Sequence, residues 1–275
     1  MKISVICVNW NSTDYVRNLL DSFAVFPPKT DYEFILVDNN SSGFDISESE
    51  YRELKIIRNS ENMKYAKGNN QGIEIAEGDY ILFLNPDIKI RENSVDEMVR
   101  FLENNPDYFG VCPRLILPDG TTDKSVRGFP YPIDIMWDIL KLNRIGGCFD
   151  RYRQVHFDYD SDRDVLQPMT SSLLARKSIL DEIGAFDEDF PIFFNDVDLC
   201  FRAYKKGYKI RYISSAEMDH IHGASTKRAD RKVMQYNSYS SLLHFFGKHF
   251  SHSSIGYFMI KILINTIIKV RGLHP

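Results

Sequence analysis

Short apolar runs alternate with amphipathic stretches through the first half of the chain. Lys2–Val8 is almost continuously apolar, the pattern of a strand buried on both faces. Asn11-Ser12 offers capping side chains to a helix predicted over Thr13–Val25, which Pro27-Pro28 stops. Further strands are predicted over Tyr32–Val37, Leu54–Ile57, Tyr80–Leu84 and Phe109–Cys112, and helices over Ala66–Ala76, closed by Gly78, and Val95–Glu103. Alternation of this kind implies right-handed crossovers and an α/β, doubly wound, mostly parallel sheet flanked by helices. Ligands bind such sheets beyond the carboxyl ends of the strands, so the residues just after each strand are the first place to look for chemistry.

The second half is less regular. Pro113–Ile145 reads as loop-rich, with a turn at Pro118-Asp119-Gly120. A strand follows over Gln167–Leu174, helices over Arg176–Ile183 and Val197–Lys206, and a strand over Tyr208–Ile213. From Lys227 onward the pattern is helical. Ile255, Phe258, Met259, Ile262, Leu263, Ile267 and Val270 share one face, and Lys261, Asn265 and Lys269 another. The apolar stretch Ile255–Val270 is interrupted and short for a bilayer span. A helix of this kind lies on a membrane surface, packs on the body or pairs with a copy of itself; the sequence leaves all three open.

Composition narrows the classes. Hydrophobic residues make up 43% and charged residues 26%, the balance of a globular domain rather than a disordered chain. The N-terminal residues lack a basic lead into an apolar run, so no secretory signal is expected. Cys7, Cys112, Cys148 and Cys200 show no CxxC or zinc spacing, and buried free thiols in a reducing compartment are expected. Net charge is −4, yet Lys227–Pro275 holds eight Lys/Arg and one acid, a local +7 that leaves −11 on the preceding residues. An acidic body argues against nucleic acid as a partner, and a basic tail suits the surface of anionic lipid.

The residues after the predicted strands are polar throughout. They are Asn9-Trp10-Asn11, Asp38-Asn39-Asn40-Ser41-Ser42, Arg58-Asn59-Ser60-Glu61-Asn62 and Asn85-Pro86-Asp87. One polar loop is ordinary; four at corresponding strand ends would line one crevice with hydrogen-bonding groups. The same residues fall into ordered motifs: Val8-Asn9-Trp10-Asn11; Val37-Asp38-Asn39-Asn40-Ser41; Asn62 through Gly68-Asn69-Asn70-Gln71-Gly72-Ile73; and Gly78-Asp79-Tyr80 to Leu84-Asn85-Pro86-Asp87. Pro113-Arg114-Leu115, Pro118-Asp119-Gly120, Gly184 to Phe190, Asp196 to Arg202 and His220 with Gly223-Ala224-Ser225 complete the set. In order and spacing these motifs resemble the family-2 glycosyltransferases, especially the bacterial branch described as rhamnosyltransferase-like.

That resemblance implies a GT-A fold with a C-terminal helical extension. Residues 1–113 would form the nucleotide-sugar-binding half, 114–226 the acceptor-binding half, and 227–275 a basic amphipathic tail. It implies that Asp38 contacts the base or ribose of the donor, with Val8 and Asn9 beside the base. Asn40, Asn62, Lys64 and Asn70 are further donor-side candidates, Lys64 as a cation near the diphosphate. The family places a DxD-type sequence after the fourth strand. Here it reads Asn85-Pro86-Asp87, so Asp87 is the expected ligand of Mg²⁺ or Mn²⁺ and Asn85 a contact to sugar or ribose. His220 falls at the family's late metal-ligand histidine, and a nitrogen ligand tilts the choice toward Mn²⁺. The general base is expected at Asp196, with Asp198 supporting it, although the family's usual Glu-Asp is Asn195-Asp196 here. Arg127, Trp137 and the aromatics of 152–159 fall on the acceptor side.

The function so implied is inverting transfer of a sugar from a nucleotide diphosphosugar to a glycan or lipid-linked acceptor in bacterial surface polysaccharide synthesis. The work would be cytoplasmic, at the inner face of the cell membrane. Deoxythymidine-diphosphate rhamnose is the first donor, and a UDP-sugar such as UDP-galactofuranose the second. A sugar-nucleotide-forming nucleotidyltransferase would need a glycine-rich triphosphate loop after the first strand, where Asn9-Trp10-Asn11-Ser12 has no glycine. A non-catalytic nucleotide-binding scaffold is the rival outside enzymes, supported by the missing acids at Asn85 and Asn195.

Overall fold

The apolar run at the N-terminus becomes β1 (Lys2–Asn9), flanked on both sides by parallel neighbours in a large sheet. The structure, a computed structural model, describes residues 1–221, 230–250 and 255–274. In chain order the remaining strands are β2 (Asp31–Asp38), β3 (Leu54–Arg58), β4 (Tyr80–Leu84), β5 (Ile88–Ile90), β6 (Tyr108–Ile116), β7 (Val126–Arg127), β8 (Arg163–Val165), β9 (Gln167–Pro168), β10 (Ser172–Arg176) and β11 (Lys209–His220). The helices are α1 (Thr13–Val25), α2 (Lys64–Ile75), α3 (Ser94–Asn104), α4 (Pro132–Ile139), α5 (Lys177–Ile183), α6 (Asn195–Lys205), α7 (Arg231–His249) and α8 (Ile255–Val270).

Nine strands form one sheet in the order β3-β2-β1-β4-β10-β6-β11-β5, with β8 paired to β11; β7 and β9 pair separately. The predicted parallel core is β1 to β4. Beyond it β10 enters antiparallel to both β4 and β6, so the sheet is mixed and takes strands from both halves of the sequence. Alternate residues of β1 serve the two faces. Ile3, Val5 and Cys7 join the core with Leu19, Phe23, Met98 and Leu102 of α1 and α3, while Ile6 joins the opposite core. Such fully buried side chains each contribute about 1.5–3 kcal/mol relative to exposure.

The helix α2 lies close against β1 because of two glycines one turn apart. A β-carbon at Gly68 would stand 2.9 Å from Val8 Cγ1, and one at Gly72 2.6 Å from Ile6 Cγ2. Both are shorter than packed carbons allow.

Several expectations are corrected. Ser12 occupies the N-cap position of α1 without a side-chain cap bond, and its hydroxyl donates to the Trp10 carbonyl at 3.1 Å. The loop-rich Pro113–Ile145 contains α4, and the strand ending at Ile213 continues to His220. Gln167–Leu174 is two strands, not one. Cys148 is exposed, unlike the other three cysteines. His222 and Gly223-Ala224-Ser225 lie outside the described residues.

Candidate active site at the carboxyl rim of the sheet

The register fixes which residues share a rim. Asn9 stands opposite Asp38, Asp38 opposite Arg58, and Cys7 opposite Leu84, so β1, β2, β3 and β4 end together. Because β10 is antiparallel to β4, with Ser172 opposite Leu84, the segment leading into β10 arrives at the same rim. His220 of β11 is opposite Ile88 of β5, next in sequence to Asp87. Asp38, Asp87, His220 and residues 167–171 therefore occupy one edge, as the doubly wound topology requires of a ligand site.

At the β1/β2 end the side chains hold one another. Asn9 Nδ2 donates to Asp38 Oδ1 at 2.8 Å and to Ser41 Oγ at 3.1 Å, while Asn9 Oδ1 accepts from the Ser12 N–H. Asp38 Oδ2 accepts from the Ser41 N–H at 3.1 Å, and the carboxylate is 4% exposed. A carboxylate has about four acceptor positions, so capacity remains for a ligand hydroxyl. Val8 turns its side chain toward Gly68 of α2. Asn40 and Lys64 both adopt left-handed backbone, at φ 58 and 66, and both side chains are exposed. Asn39, which carried no expectation, ties the loop to α2: its Nδ2 donates to the Lys64 carbonyl at 3.1 Å, and its Oδ1 accepts from Asn59. Asn70 faces elsewhere. Its Nδ2 donates to the Phe186 carbonyl and Glu188, and its Oδ1 accepts from the Phe186 N–H at 3.0 Å, so its amide pins the loop before α6.

After β4 the backbone turns through Asn85-Pro86-Asp87, with the Asn85 N–H donating to the Ser171 carbonyl at 2.9 Å. Asp87 is 7% exposed, and its Oδ1 lies 3.6 Å from His220 Nε2. His220 Nδ1 meets Asp123 Oδ2 at 2.8 Å. Burial opposes charging the imidazole, but the hydrogen bonds to Asp123 and Asp87 outweigh it and lift the pKa to about 9. Asp123 was absent from the sequence expectations. A carboxylate behind a histidine, fixing its tautomer and aiming its other nitrogen, is the usual support of a metal ligand. The oxygen of Asp87 and, once a metal displaces the proton held between them, the nitrogen of His220 fit a divalent cation.

The side expected to face the acceptor is built by β7, β9 and the first turn of α6. Phe194, at φ 66, is a bulky residue in left-handed backbone, and this strained turn opens α6. Asp196 Oδ1 accepts from the Val197 N–H at 2.8 Å and Oδ2 from Gln167 Nε2 at 3.1 Å. Burial raises its pKa to about 6, against an opposing pull from Arg127. Arg127, beside Gln167 on the neighbouring strand, is held by the carbonyls of Lys124 and Val126. Tyr65, whose backbone N–H donates to the Pro191 carbonyl, reaches across the rim to Thr170 at 3.0 Å.

Asp198 has a different task. It is fully buried, accepting from Arg202 Nε at 2.8 Å, Lys248 Nζ at 2.7 Å and His249 Nε2 at 2.6 Å, and these partners outweigh its burial and hold its pKa well below the usual range. Lys248 also reaches Asp187 at 2.6 Å, binding α7 to the loop before α6. Asp187, Asp189 and His244 bring three ligand atoms within 4.8 Å of one another, but Lys248 already supplies a cation there. Two open surface depressions lie away from the rim. One is lined by Val25–Lys29 and Arg91–Asp96, the other by the amino ends of β1 and β2.

Residues 4–162 match the profile of glycosyl transferase family 2. The chain belongs to that family. It is 23% identical over 278 residues to the low-salt glycan biosynthesis hexosyltransferase Agl10 of Haloferax volcanii, covering 98% of this chain and 84% of the relative. It is 24% identical to the N-acetylglucosaminyl-diphospho-decaprenol L-rhamnosyltransferase of Mycobacterium tuberculosis, covering 82% of this chain and 78% of that one. The mannosyltransferase PcManGT from Pyrobaculum calidifontis, solved with GDP-Man and Mn²⁺, superposes with a TM-score of 0.59 at 14% identity, over 95% of this chain and 69% of that one. The family-2 chain is therefore a glycosyltransferase of the rhamnosyltransferase-like branch with the GT-A fold.

Proposed function

We propose that this glycosyltransferase binds a nucleotide diphosphosugar, rhamnose being the first choice of sugar, at the β1–β4 rim and transfers it with inversion to a lipid-linked glycan. What supports this reading is that Asp38, Asp87 and His220 lie along one edge of the sheet, and that the buried Asp196 is hydrogen-bonded to Gln167 of the segment that enters that edge. Asp38 would accept from donor hydroxyls, with Asn9 holding it in place and Asn40, Lys64 and Asn85 at the mouth. Asp87 and His220 would hold a divalent metal, which when bound neutralises charge on the departing diphosphate. The nitrogen ligand favours Mn²⁺ over Mg²⁺.

On the other side Asp196 takes the proton of the acceptor hydroxyl as its oxygen bonds to the anomeric carbon and the bond to diphosphate breaks. A carboxylate raised to about 6 is ionised at neutral pH yet basic enough to receive that proton. Rhamnose and a lipid diphosphate acceptor are supported by the name of the Mycobacterium tuberculosis relative. The deciding experiment measures nucleotide release by the purified chain from a panel of dTDP-, UDP- and GDP-sugars, with Mn²⁺ or with EDTA. Release with Mn²⁺ from one donor class, abolished by EDTA and by Asp87→Ala, is expected. Nucleotide binding without turnover of any donor would return the chain to a scaffold.

A further inference from the structure

We infer that the outward face of α8, with the exposed end of α4, is a docking surface for an anionic lipid bilayer. The helix buries Tyr257, Ile260 and Ile264 against the body, where α8 packs on α4 and α7. Much of the apolar face foreseen in the sequence is thereby left outward: Phe258 is 62% exposed, Met259 51%, Ile262 52% and Val270 79%. On a helix these positions fall around the side opposite the buried one. The segment just after α4 adds Leu140 and Ile145, 62% and 73% exposed, close in sequence to the exposed cations Lys141 and Arg144.

Charge selects the occupant. Residues 255–275 contain Lys261, Lys269 and Arg271 and no acid. The acids of α4 are already neutralised, Asp134 by Arg151 at 2.8 Å and Asp138 by Arg153 at 2.7 Å. Apolar side chains accompanied by cations that have no acid partner among the described residues suit acyl chains beneath phosphate headgroups. A second copy meeting through the same face would set these cations against themselves. No helix among the described residues is long and apolar enough to cross a membrane, so α8 would lie flat in the interface. That the acceptor is lipid-linked rests on the proposed function; the docking surface rests on α8 and α4 alone.

The test is co-sedimentation of the full chain with phosphatidylcholine vesicles, with and without phosphatidylglycerol. Binding to the anionic vesicles is expected, reduced about tenfold or more in Phe258→Glu/Ile262→Glu. Lys261→Gln, Lys269→Gln and Arg271→Gln should each weaken it about fivefold at low salt. Nucleotide release in lipid-free buffer is measured on the same proteins. Lost vesicle binding with unchanged release or unchanged melting temperature supports the surface. Loss of release from every protein while vesicle binding follows this pattern strikes the proposed reaction and leaves the surface standing. The inference is overturned if Phe258→Glu/Ile262→Glu binds anionic vesicles like the parent, or if the parent is a dimer that this variant turns into monomer.

Discussion

The two sides of the rim are built on different terms. At the β1/β2 end, Asn9, Asp38, Ser41 and Ser12 hold one another through hydrogen bonds, and Asn39 and Asn59 extend the mesh to α2. Across the rim, Asp196 accepts from Gln167 and from the Val197 N–H, and burial raises its carboxyl to about 6. A pre-organised mesh suits a group that must be recognised in one pose. A lightly supported, desolvated carboxylate suits a group that must change protonation state. Asp198, one helical step away, shows the alternative: three cationic or imidazole partners drive its pKa down and remove it from proton chemistry.

This contrast can be broken by mutation. Asp196→Asn keeps the shape and removes the base, so kcat for transfer should fall about 10²–10⁴-fold while donor binding, followed by calorimetry, is retained. Equal loss of donor binding would merge the two sides into one. Asp198→Ala leaves Lys248, Arg202 and His249 facing a buried hole, and thermal or urea unfolding should report a loss of about 3–5 kcal/mol. Gly72→Ala drives a methyl into Ile6, with an expected cost of about 1–3 kcal/mol and a weaker affinity for the donor, read by titration. Gln167→Leu deletes the hydrogen bond to ionised Asp196; the effect, about 0.5–1.5 kcal/mol, is smallest and appears as an upward shift of the acid limb of the pH–rate profile.

The pH dependences of the two acids have opposite signs. Activity should fall as pH drops through about 6, where Asp196 takes up a proton. Its raised folded pKa means that ionising Asp196 costs stability as pH rises from the unfolded carboxylate range through about 6. Asp198, lowered in the fold, contributes stability that is present above the unfolded value near 3.8 and lost as pH falls below it. Activity profiles and unfolding curves on one buffer series distinguish the two.

The regular side was legible in the sequence because its periodicities were strong. Thr13–Val25 and Tyr80–Leu84 form the elements predicted, and the rim followed from strand order alone. The second half of the chain was harder to read for local reasons. Pro130-Tyr131-Pro132 resembles a loop, but Pro132 sits in the first turn of α4, where its missing N–H costs nothing. Ser214-Ser215 interrupts the apolar pattern of β11 at a register shift, hiding its extension to His220. The contact of Asp123 with His220 joins residues 97 apart, and no periodicity reports such a pair. Asn70 lay in a motif whose glycines pack α2 on β1, and its own contact, to Phe186, spans 116 residues.

The antiparallel entry of β10 has a consequence for how the two sides of the rim depend on each other. β6 leaves the sheet at the rim and β10 re-enters beside it, so residues 117–171 form an excursion whose two ends are neighbours. Lengthening a chain between fixed, adjacent anchors costs little, roughly 0.6 kcal/mol per doubling. Length is therefore lightly constrained there while sequence is not, because the excursion carries Asp123 against His220 and Gln167 against Asp196, and a change within it reaches both sides of the rim.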